Sequence, residues 1–421
     1  MTARAGIIWT TLLILAGIFS LAFIFFTLFP GQVPDAAWQY FSPVEVERAR
    51  RYQQIMRLVS ILAFLAKTAF LVWLVYSARA AYWSDGVLRL TGGRYYPALV
   101  IYFGLIWLLL KVVGLPFNFY GSFIVQHQWG FATQNLASWW ADYLKSSFLD
   151  LILSGAGVIL LFWVTGRWPH TWWAAAGLFL SGWLFVSTFL WPLLVAPLFN
   201  RFQPVTEGPV KTMVTQLAGR AGLKVKEILV MDASRRTTKA NAYFTGLGAT
   251  KRIVLYDTLL ANYPPDEVEA VVAHEMAHWQ RGHIVRGLLW GILANFLLLG
   301  LLYAVLKLTF TYEIARPGPY PPHLLVAMLL FLQLVSFLGQ PVQNAISRRY
   351  ETEADQVALE LTGNPRAMIK LQVDLTRKNL GDVAPPPFIE WLTSSHPSPL
   401  DRIQASEKWG QDDNPRYSRG Q

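Results

Sequence analysis

The chain has 421 residues, of which 54% are hydrophobic and only 15% charged, with 18 Trp and 26 Phe. So few charges exclude an ordinary soluble protein and are typical of a membrane protein. Without cysteine, disulfides and thiolate metal sites are excluded, and the net charge of +10 lacks the basic, aromatic-interleaved patch that would indicate a nucleic-acid partner.

Seven apolar segments follow one another, each long enough to cross a lipid bilayer as a helix. Their ranges are 7–29, 58–77, 97–115, 148–165, 172–199, 287–306 and 324–340. The first is too long for the apolar region of a signal peptide and lacks a clear cleavage site, so we interpret it as a span. The expected fold is therefore mainly α, with a bundle of seven transmembrane helices.

Two of these segments contain a lysine. Lys67 lies near the middle of the second segment, and Lys111 lies nearer the end of the third. A charge within a span usually faces a bundle interior or a wet cavity, or extends to the membrane surface. Lys67 therefore favours an internal water-filled space, whereas Lys111 could simply extend to the surface. The stretches 30–57 and 116–131 are expected to be polar loops, in which His127 makes an ordinary polar contact.

The sequence changes character after residue 200. The pattern predicts a helix at 210–221 and short strands at 228–231 and 252–256. An edge strand in this region could hold an extended peptide by backbone pairing. Residues 347–421 are again polar, and the last dozen residues are expected to be a disordered tail.

The motif with the clearest chemistry is His274-Glu275-Met276-Ala277-His278 on an apolar helix, which the prolines and acids of 264–267 are suited to begin. Histidines four residues apart project from one helix face, so both imidazoles could bind a single zinc ion. Glu275 could take a proton from a water on that metal. The alternative is a surface helix that carries two histidines by chance. His283 is five residues beyond His278 and on a different face, so we leave it out.

A third ligand must come from elsewhere, and the segment 347–356 offers Glu351, Glu353 and Asp355. Glu351 and Asp355 are four apart and share one face of a presumed helix. A carboxylate from this helix would complete a His-His-Glu site with one open position, and Asp355 could orient a ligand histidine. Spacing alone does not choose between Glu351 and Glu353, although Glu353 also fits a solvated acidic face.

The distribution of Lys and Arg sets the expected orientation. These residues are modestly enriched on the side of the bundle that carries the histidine motif, which favours the cytoplasmic side for the zinc site. We expect a membrane region with spans one to five at 1–199 and the first part of a zincin-like α+β domain at 200–283. Spans six and seven at 284–346 split this domain from its second part and the tail at 347–421.

Taken together, the motifs resemble the type I CAAX prenyl protease family of integral-membrane zinc metallopeptidases. The similar segments occur in the same order over most of the chain, at 115–131, 196–202, 240–244, 251–260, 274–278, 347–355 and 396–403. In the first of them the family often has acidic residues where this chain has Gln126-His127-Gln128. That difference affects the expected substrate preference and not the chemistry at the metal.

The resemblance implies one zinc ion with Glu351, and not Glu353, as its third ligand. It also implies a large chamber enclosed by the seven helices, with the zinc site at one end. Asn241 and His396 would lie near the scissile carbonyl as donors that stabilise the oxyanion. Without the resemblance, we would expect both residues to make structural hydrogen bonds. Arg402 either pairs with a carboxylate of the site or lies on the surface.

The activity that the resemblance implies is hydrolysis of peptide bonds, with Glu275 as general base and a peptide or protein substrate that is prenylated or membrane-bound. Family enzymes cut carboxyl-terminal tripeptides from prenylated CAAX proteins, whereas related membrane zincins of the heat-shock HtpX type degrade damaged membrane proteins. In a bacterium the enzyme would lie in the inner membrane and quality control would be favoured; in a eukaryote it would lie in the endoplasmic reticulum membrane. A non-catalytic scaffold with a structural zinc is the alternative from a different class, but a structural site needs no general base such as Glu275.

Overall fold

The computed structural model describes residues 3–246 and 251–412. Within this part the chain is mostly helical with one small sheet, as expected. Of the disordered tail expected over the last dozen residues, 413–421 lie outside the described part, and the residues before them belong to a helix that ends at Asp412.

Seven helices of the described chain are long and apolar enough to cross a membrane, which confirms the expected number. The helices of the amino-terminal half are α1 (Ala3–Leu28), α2 (Pro43–Tyr76), α3 (Arg79–Leu90), α4 (Tyr95–Phe119), α5 (Val125–Gln128), α6 (Leu136–Arg167) and α7 (Trp172–Leu190). Only 6% of the residues in the most apolar part of the α7 span are buried within the protein. Such an exposed apolar surface suits contact with lipid.

Helix α2 begins at Pro43, well before the expected start at residue 58. The hydroxyl of Ser42 accepts a hydrogen bond from the Glu45 backbone N–H, and the Glu45 side chain accepts one from the Ser42 backbone, while Pro43 takes the first helical position. This capping box lies inside the stretch that we expected to be a polar loop. That expectation is therefore wrong from residue 43 onward.

The stretch 116–131 is also largely helical instead of a loop. Helix α4 continues through a π-helical turn at Tyr120–Ile124 into α5. The ring nitrogens of His127 contact the carbonyl oxygens of Phe123 and Gln134 at 2.7 and 2.9 Å. His127 thus makes ordinary polar contacts, as expected.

The two lysines within spans lie between neighbouring helices. Lys111 forms an ion pair of 2.8 Å with Asp150 of α6, so it has a partner on another span and does not simply extend to the surface. Lys67 crosses α4 at Gly114, where an added Cβ would lie only 2.8 Å from its Cε. Glycine therefore makes room for the lysine, and the water-filled space stays a prediction.

The sheet has four strands, β1 (Phe202–Pro204), β2 (Glu227–Met231), β3 (Ala242–Thr245) and β4 (Arg252–Tyr256), in the order β1-β2-β4-β3. Strands β2 and β4 are parallel, and the two outer strands are antiparallel to their neighbours. The strands expected at 228–231 and 252–256 are β2 and β4. Strand β3 is at an edge, because it pairs only with β4 among the described residues.

The remaining helices are α8 (Pro209–Arg220), α9 (Asp257–Asn262), α10 (Pro265–Gln280), α11 (His283–Thr309), α12 (Thr311–Ala315), α13 (Leu324–Thr362), α14 (Pro365–Asn379), α15 (Pro387–Thr393) and α16 (Pro399–Asp412). Helix α8 matches the expected helix at 210–221. Helix α13 carries the seventh span and continues without a break beyond it. The expected boundary at residue 347 falls within this helix, and the division of the chain into domains remains a proposal.

Small side chains let α10 and α13 pack closely. Ala277 of α10 and Ala354 of α13 are fully buried against each other's helix, together with Val357. Since the side chains at the contact set the distance between two helix axes, alanines allow a close approach. This packing brings the histidine face of α10 opposite the carboxylates of α13.

Candidate metal centre

The two motif histidines project from one face of α10. The helix begins at residues 264–267 with two prolines and two acids, as the sequence predicted. The Nε2 atoms of His274 and His278 are 3.2 Å apart. At that separation both nitrogens can bind the same ion.

Glu351 of α13 lies opposite the two rings. Its Oε2 is 3.1 Å from Nε2 of His274, and its Oε1 is 3.6 Å from Nε2 of His278. The three possible ligand atoms all lie within 4.8 Å of one another. Glu353 points away and contacts α11 instead. Of the two glutamates that spacing left open, the structure brings Glu351 to the histidines.

This arrangement fits a metal ion. Oε2 of Glu351 is buried and meets no donor in hydrogen-bonding geometry, although ring nitrogens of His274 and His396 lie 3.1 and 3.2 Å away. A buried carboxylate oxygen rarely lacks a partner. A cation shared with the two facing imidazole nitrogens would satisfy it. Imidazole and carboxylate ligands without thiolate suit zinc.

A buried carboxylate holds His274 from behind. Oδ1 of Asp355, one helical turn beyond Glu351, lies 2.8 Å from Nδ1 of His274. Arg402 of α16 donates to both oxygens of Asp355, from Nε at 2.7 Å and from Nη2 at 2.6 Å. Such a bidentate pair fixes the carboxylate in orientation as well as in position. Arg402 therefore pairs with a carboxylate of the site and is not a surface arginine.

Burial and neighbouring charges shift the pKa values of the groups on α10. Burial lowers the pKa of His274, but its contacts with Asp355 and Glu351 outweigh this effect and raise the pKa to about 10. Burial, followed by the neighbouring charge of His274, lowers the pKa of His278 to about 4. Burial raises the pKa of Glu275 to about 7. A carboxylate with a pKa near neutrality is suited to act as a general base.

Asn241 and His396 come to the same place from distant parts of the chain. They line a cavity of about 130 Å³ together with His274, Glu275 and Arg402. An adjoining cavity of about 630 Å³ is also lined by Asn241, His396 and Arg402. The structure thus brings together all eight residues that the sequence analysis proposed for the site.

Asn241 and His396 both carry N–H groups that can donate hydrogen bonds. The side-chain oxygen of Asn241 accepts a hydrogen bond from the Ala242 backbone N–H at 2.9 Å, and its amide group donates to the Tyr256 hydroxyl. Nδ1 of His396 contacts the Ser395 hydroxyl at 2.9 Å, while its Nε2 faces Glu351. Asn241 directly precedes the edge strand β3.

Two residues that the sequence analysis set aside also surround the cluster. Nδ1 of His283, expected on a different face, lies 3.0 Å from Nδ1 of His278. Glu353, expected on a solvated face, contacts His283 at 3.1 Å and Arg286 at 2.9 Å. The expectation for His283 is wrong because Gly282, with φ of +66°, separates α10 from α11, so His283 does not follow the helical spacing of α10. Glu353 is still 28% exposed and remains partly solvated. This glycine is the sequence signal that could have revealed the contact.

Both halves of the chain match known families. Residues 204–410 match peptidase family M48, and residues 26–201 match the amino-terminal region of CAAX prenyl proteases, described as five membrane helices. The two matches meet near residue 200, where the sequence changes character.

Similar proteins include CAAX prenyl protease 1 of Saccharomyces cerevisiae, which is 31% identical over 327 residues, covering 72% of this chain and 71% of that protein. An uncharacterized metalloprotease of Bacillus subtilis, YhfN, is 32% identical over 309 residues, with 72% and 71% covered. The crystal structure of S. mikatae Ste24p superimposes with a TM-score of 0.83 at 25% identity, over 96% of this chain and 99% of that one. The chain therefore belongs to the CAAX prenyl protease group of peptidase family M48 and is a membrane metalloendopeptidase.

Proposed function

We propose that the metal is a single zinc ion held by His274, His278 and Glu351, and that the enzyme cleaves prenylated proteins near their carboxyl terminus. The observation that carries this proposal is the approach of the three ligand atoms to within 4.8 Å of one another, beside Glu275. Three protein ligands leave a fourth position of zinc open, which is typical of catalytic sites and not of structural ones.

The roles of the other residues follow from their positions. Bound zinc would supply a Lewis acid that polarises the scissile carbonyl and acidifies the attacking water. Glu275 takes the proton of that water and later passes it to the leaving amine. Asn241 and His396 donate hydrogen bonds to the carbonyl oxygen as it gains charge, each worth typically about 3 kcal/mol. Asp355 and Arg402 keep the ring of His274 in place.

Two features support an extended peptide substrate that is attached to the membrane. The edge of β3 can pair with an extended chain next to Asn241. The cavity of about 630 Å³ offers room for side chains or for a bulky group beside His396. The yeast relative is named a CAAX prenyl protease, which supports a prenylated substrate for this chain also. We also propose that the seven spans enclose a chamber with the metal site at one end.

Quality control of membrane proteins is the second candidate, because the bacterial relative is named only as a metalloprotease. To separate the two, a farnesylated CAAX peptide and the same peptide without the prenyl group are offered to the purified enzyme. We expect a clearly higher kcat/KM for the farnesylated peptide. Equal values for the two peptides would favour quality control. Membership of a peptidase family, with Glu275 beside the cluster, disfavours a non-catalytic scaffold.

Substitution of Glu275 tests the proposed mechanism. In Glu275→Gln the side chain cannot accept a proton, so cleavage should fall by at least about 100-fold. Zinc content should not change, because Glu275 is not a ligand. Glu269→Gln is the matched control on the same helix, since Glu269 faces Arg220 away from the site. A parent protein without zinc, or undiminished cleavage by Glu275→Gln, would contradict the proposal.

The cytoplasmic position of the metal site can be tested with engineered thiols, because the chain has no cysteine of its own. Lys224→Cys places a thiol on the exposed surface of the catalytic part, and His170→Cys places one in the loop between α6 and α7. A membrane-impermeant thiol reagent applied to intact cells should label the second variant and not the first. The reverse pattern would place the metal site on the outer side.

A further inference from the structure

We propose that His283, together with Glu353, is a positioning residue that holds the His278 ring for metal binding. This inference rests on the proposed metal site, and it assigns to His278 a hydrogen-bonded chain that ends in a carboxylate. This arrangement differs from that of His274, which contacts a carboxylate directly. At His278 a second imidazole, that of His283, lies between the ligand and the acid.

The hydrogen positions along this chain follow from the distances. Nε2 of His278 faces the cluster, and its Nδ1 lies 3.0 Å from Nδ1 of His283. A neutral imidazole that binds a metal through Nε2 carries its hydrogen on Nδ1. His278 is therefore the donor and His283 the acceptor. The hydrogen of His283 then resides on Nε2, which lies 3.1 Å from Oε2 of Glu353 and donates to it.

The surrounding side chains hold His283 and Glu353 in this arrangement. The ring of His283 is only 4% exposed and stacks on Tyr350, with 4.5 Å between ring centroids and 7° between the planes. Arg286 donates to Oε2 of Glu353 at 2.9 Å and also covers the ring of Tyr350. The packing thus fixes the plane of His283, and the ion pair fixes the carboxylate that receives its hydrogen.

The backbone explains why these residues meet. Gly282 adopts φ of +66°, a conformation that favours glycine, and it separates α10 from α11. The chain turns there, so His283 swings back toward the preceding helix instead of continuing around it. On α13, Tyr350 and Glu353 are three residues apart and share a face, while Glu351 points toward the cluster.

A partner on the outer nitrogen of a ligand histidine sets its tautomer and its ring orientation. Loss of such a partner typically costs about 10- to 100-fold in metal affinity or activity. Without His283, the Nδ1 hydrogen of His278 would have no acceptor on this side. The ring could then rotate, or place its hydrogen on the nitrogen that faces the metal.

The test measures zinc affinity of the purified full-length protein by competition with a chelator. His283→Phe keeps a ring that can stack on Tyr350 but removes both nitrogens, and we expect about 10- to 100-fold weaker zinc binding. In His283→Gln the side-chain oxygen can still accept from His278, so affinity should return part of the way toward the parent value. His170→Phe is the control, because His170 is an exposed residue of the loop between α6 and α7. This variant should bind zinc with the affinity of the parent.

The visible absorption of the cobalt-substituted protein provides a readout that does not depend on activity. We expect His283→Phe to alter this spectrum, because the geometry at the metal changes with the ring of His278. Glu353→Gln should weaken zinc binding less than His283→Phe, and Glu360→Gln, an exposed glutamate on the same helix, should have no effect.

The outcomes separate this inference from the proposed function. If the parent protein binds no zinc, the proposed metal site fails. If the parent binds zinc and His283→Phe keeps both its affinity and its cobalt spectrum, the positioning role is overturned while the metal site stands. If His283→Phe lowers the thermal stability of the metal-free protein but leaves the cobalt spectrum unchanged, His283 has a purely structural role.

Discussion

The surroundings of His274 and those of His278 differ in charge and in exposure. His274 contacts Asp355 directly, and Arg402 closes that carboxylate from the other side, with about 12% and 14% of the two side chains exposed. His278 contacts neutral His283 first, and the acid behind it, Glu353, is 28% exposed. One histidine is therefore held by a buried ion pair and the other by a chain that leads to the surface.

This difference has energetic consequences. A buried ion pair is costly to break, because the remaining partner keeps an uncompensated charge away from water. A partly exposed pair such as Glu353 with Arg286 is screened by solvent and salt, so its loss is felt mainly through the ring that it orients. We expect changes around His274 to affect folding and metal binding together, and changes around His278 to affect mainly metal binding.

The largest effect should follow Asp355→Asn. The substitution leaves the charge of Arg402 buried without a full partner, and breaking a buried pair in this way typically costs about 3–5 kcal/mol. Thermal unfolding of the metal-free protein in detergent measures this loss, and chelator competition should show weaker zinc binding at the same time. Asp374→Asn is the control, because Asp374 pairs with Lys378 at the surface and should cost less than about 1 kcal/mol. Similar unfolding temperatures for the two variants would mean that the buried pair is not needed for stability.

Removing both charges around His274 should be less harmful than the single losses imply. In Asp355→Asn combined with Arg402→Met, neither partner is left as an unpaired charge. The double variant should therefore be more stable than the sum of the single variants predicts, by about 0.5–3 kcal/mol. Unfolding of the four proteins in one detergent gives this coupling energy directly. Strict additivity would show that Asp355 and Arg402 do not act as a pair.

The helix turn before His283 should have a smaller effect on stability. Gly282→Ala forces a side chain into the left-handed conformation, which costs about 1–2 kcal/mol, and it should also weaken zinc binding by displacing His283. Gly287→Ala is the matched control, because Gly287 lies within α11 and a Cβ added there would meet no side chain or neighbouring helix within 4 Å. That change should be neutral or stabilising, since alanine favours the helix. Equal effects at both glycines would show that the turn geometry does not matter.

The contrast between the two histidines also shows how much of the fold and of the site could be predicted from the sequence. The spans, the expected strands and the pair His274 and His278 all followed from local patterns, because each depends on residues close together in the chain. Glu351 and Glu353 could not be separated by spacing, since two positions on one helix differ by about 200° and only the packing of α13 against α10 decides which one faces the histidines. Only resemblance gave Asn241 and His396, which lie in separate loops that tertiary folding brings together.

Two other expectations, for the start of α2 and for the face of His283, were wrong although the sequence contains features that indicate the correct structure. The capping box at Ser42 and Glu45 marks the start of α2 inside an apparent loop. Gly282 marks the end of α10, so counting five residues from His278 as if the helix continued gave the wrong face for His283. The site roles of Asn241, His396 and Arg402 stay proposals, although the structure places all of them at the cavity beside Glu275.

The smallest effect should be a dependence on salt that only the surroundings of His278 show. Arg286 is 40% exposed at its ion pair with Glu353. Arg286→Met should weaken zinc binding a few-fold at low ionic strength, and the difference from the parent should shrink in about 1 M salt, where charges are screened within about 3 Å. Arg349→Met is the matched control, because Arg349 is more exposed and lies 3.6 Å from Glu353, so its effect should be smaller still. For Arg402→Met the loss should persist in salt, since ions do not reach a buried pair. If both losses responded equally to salt, the two histidines would not be held in different ways.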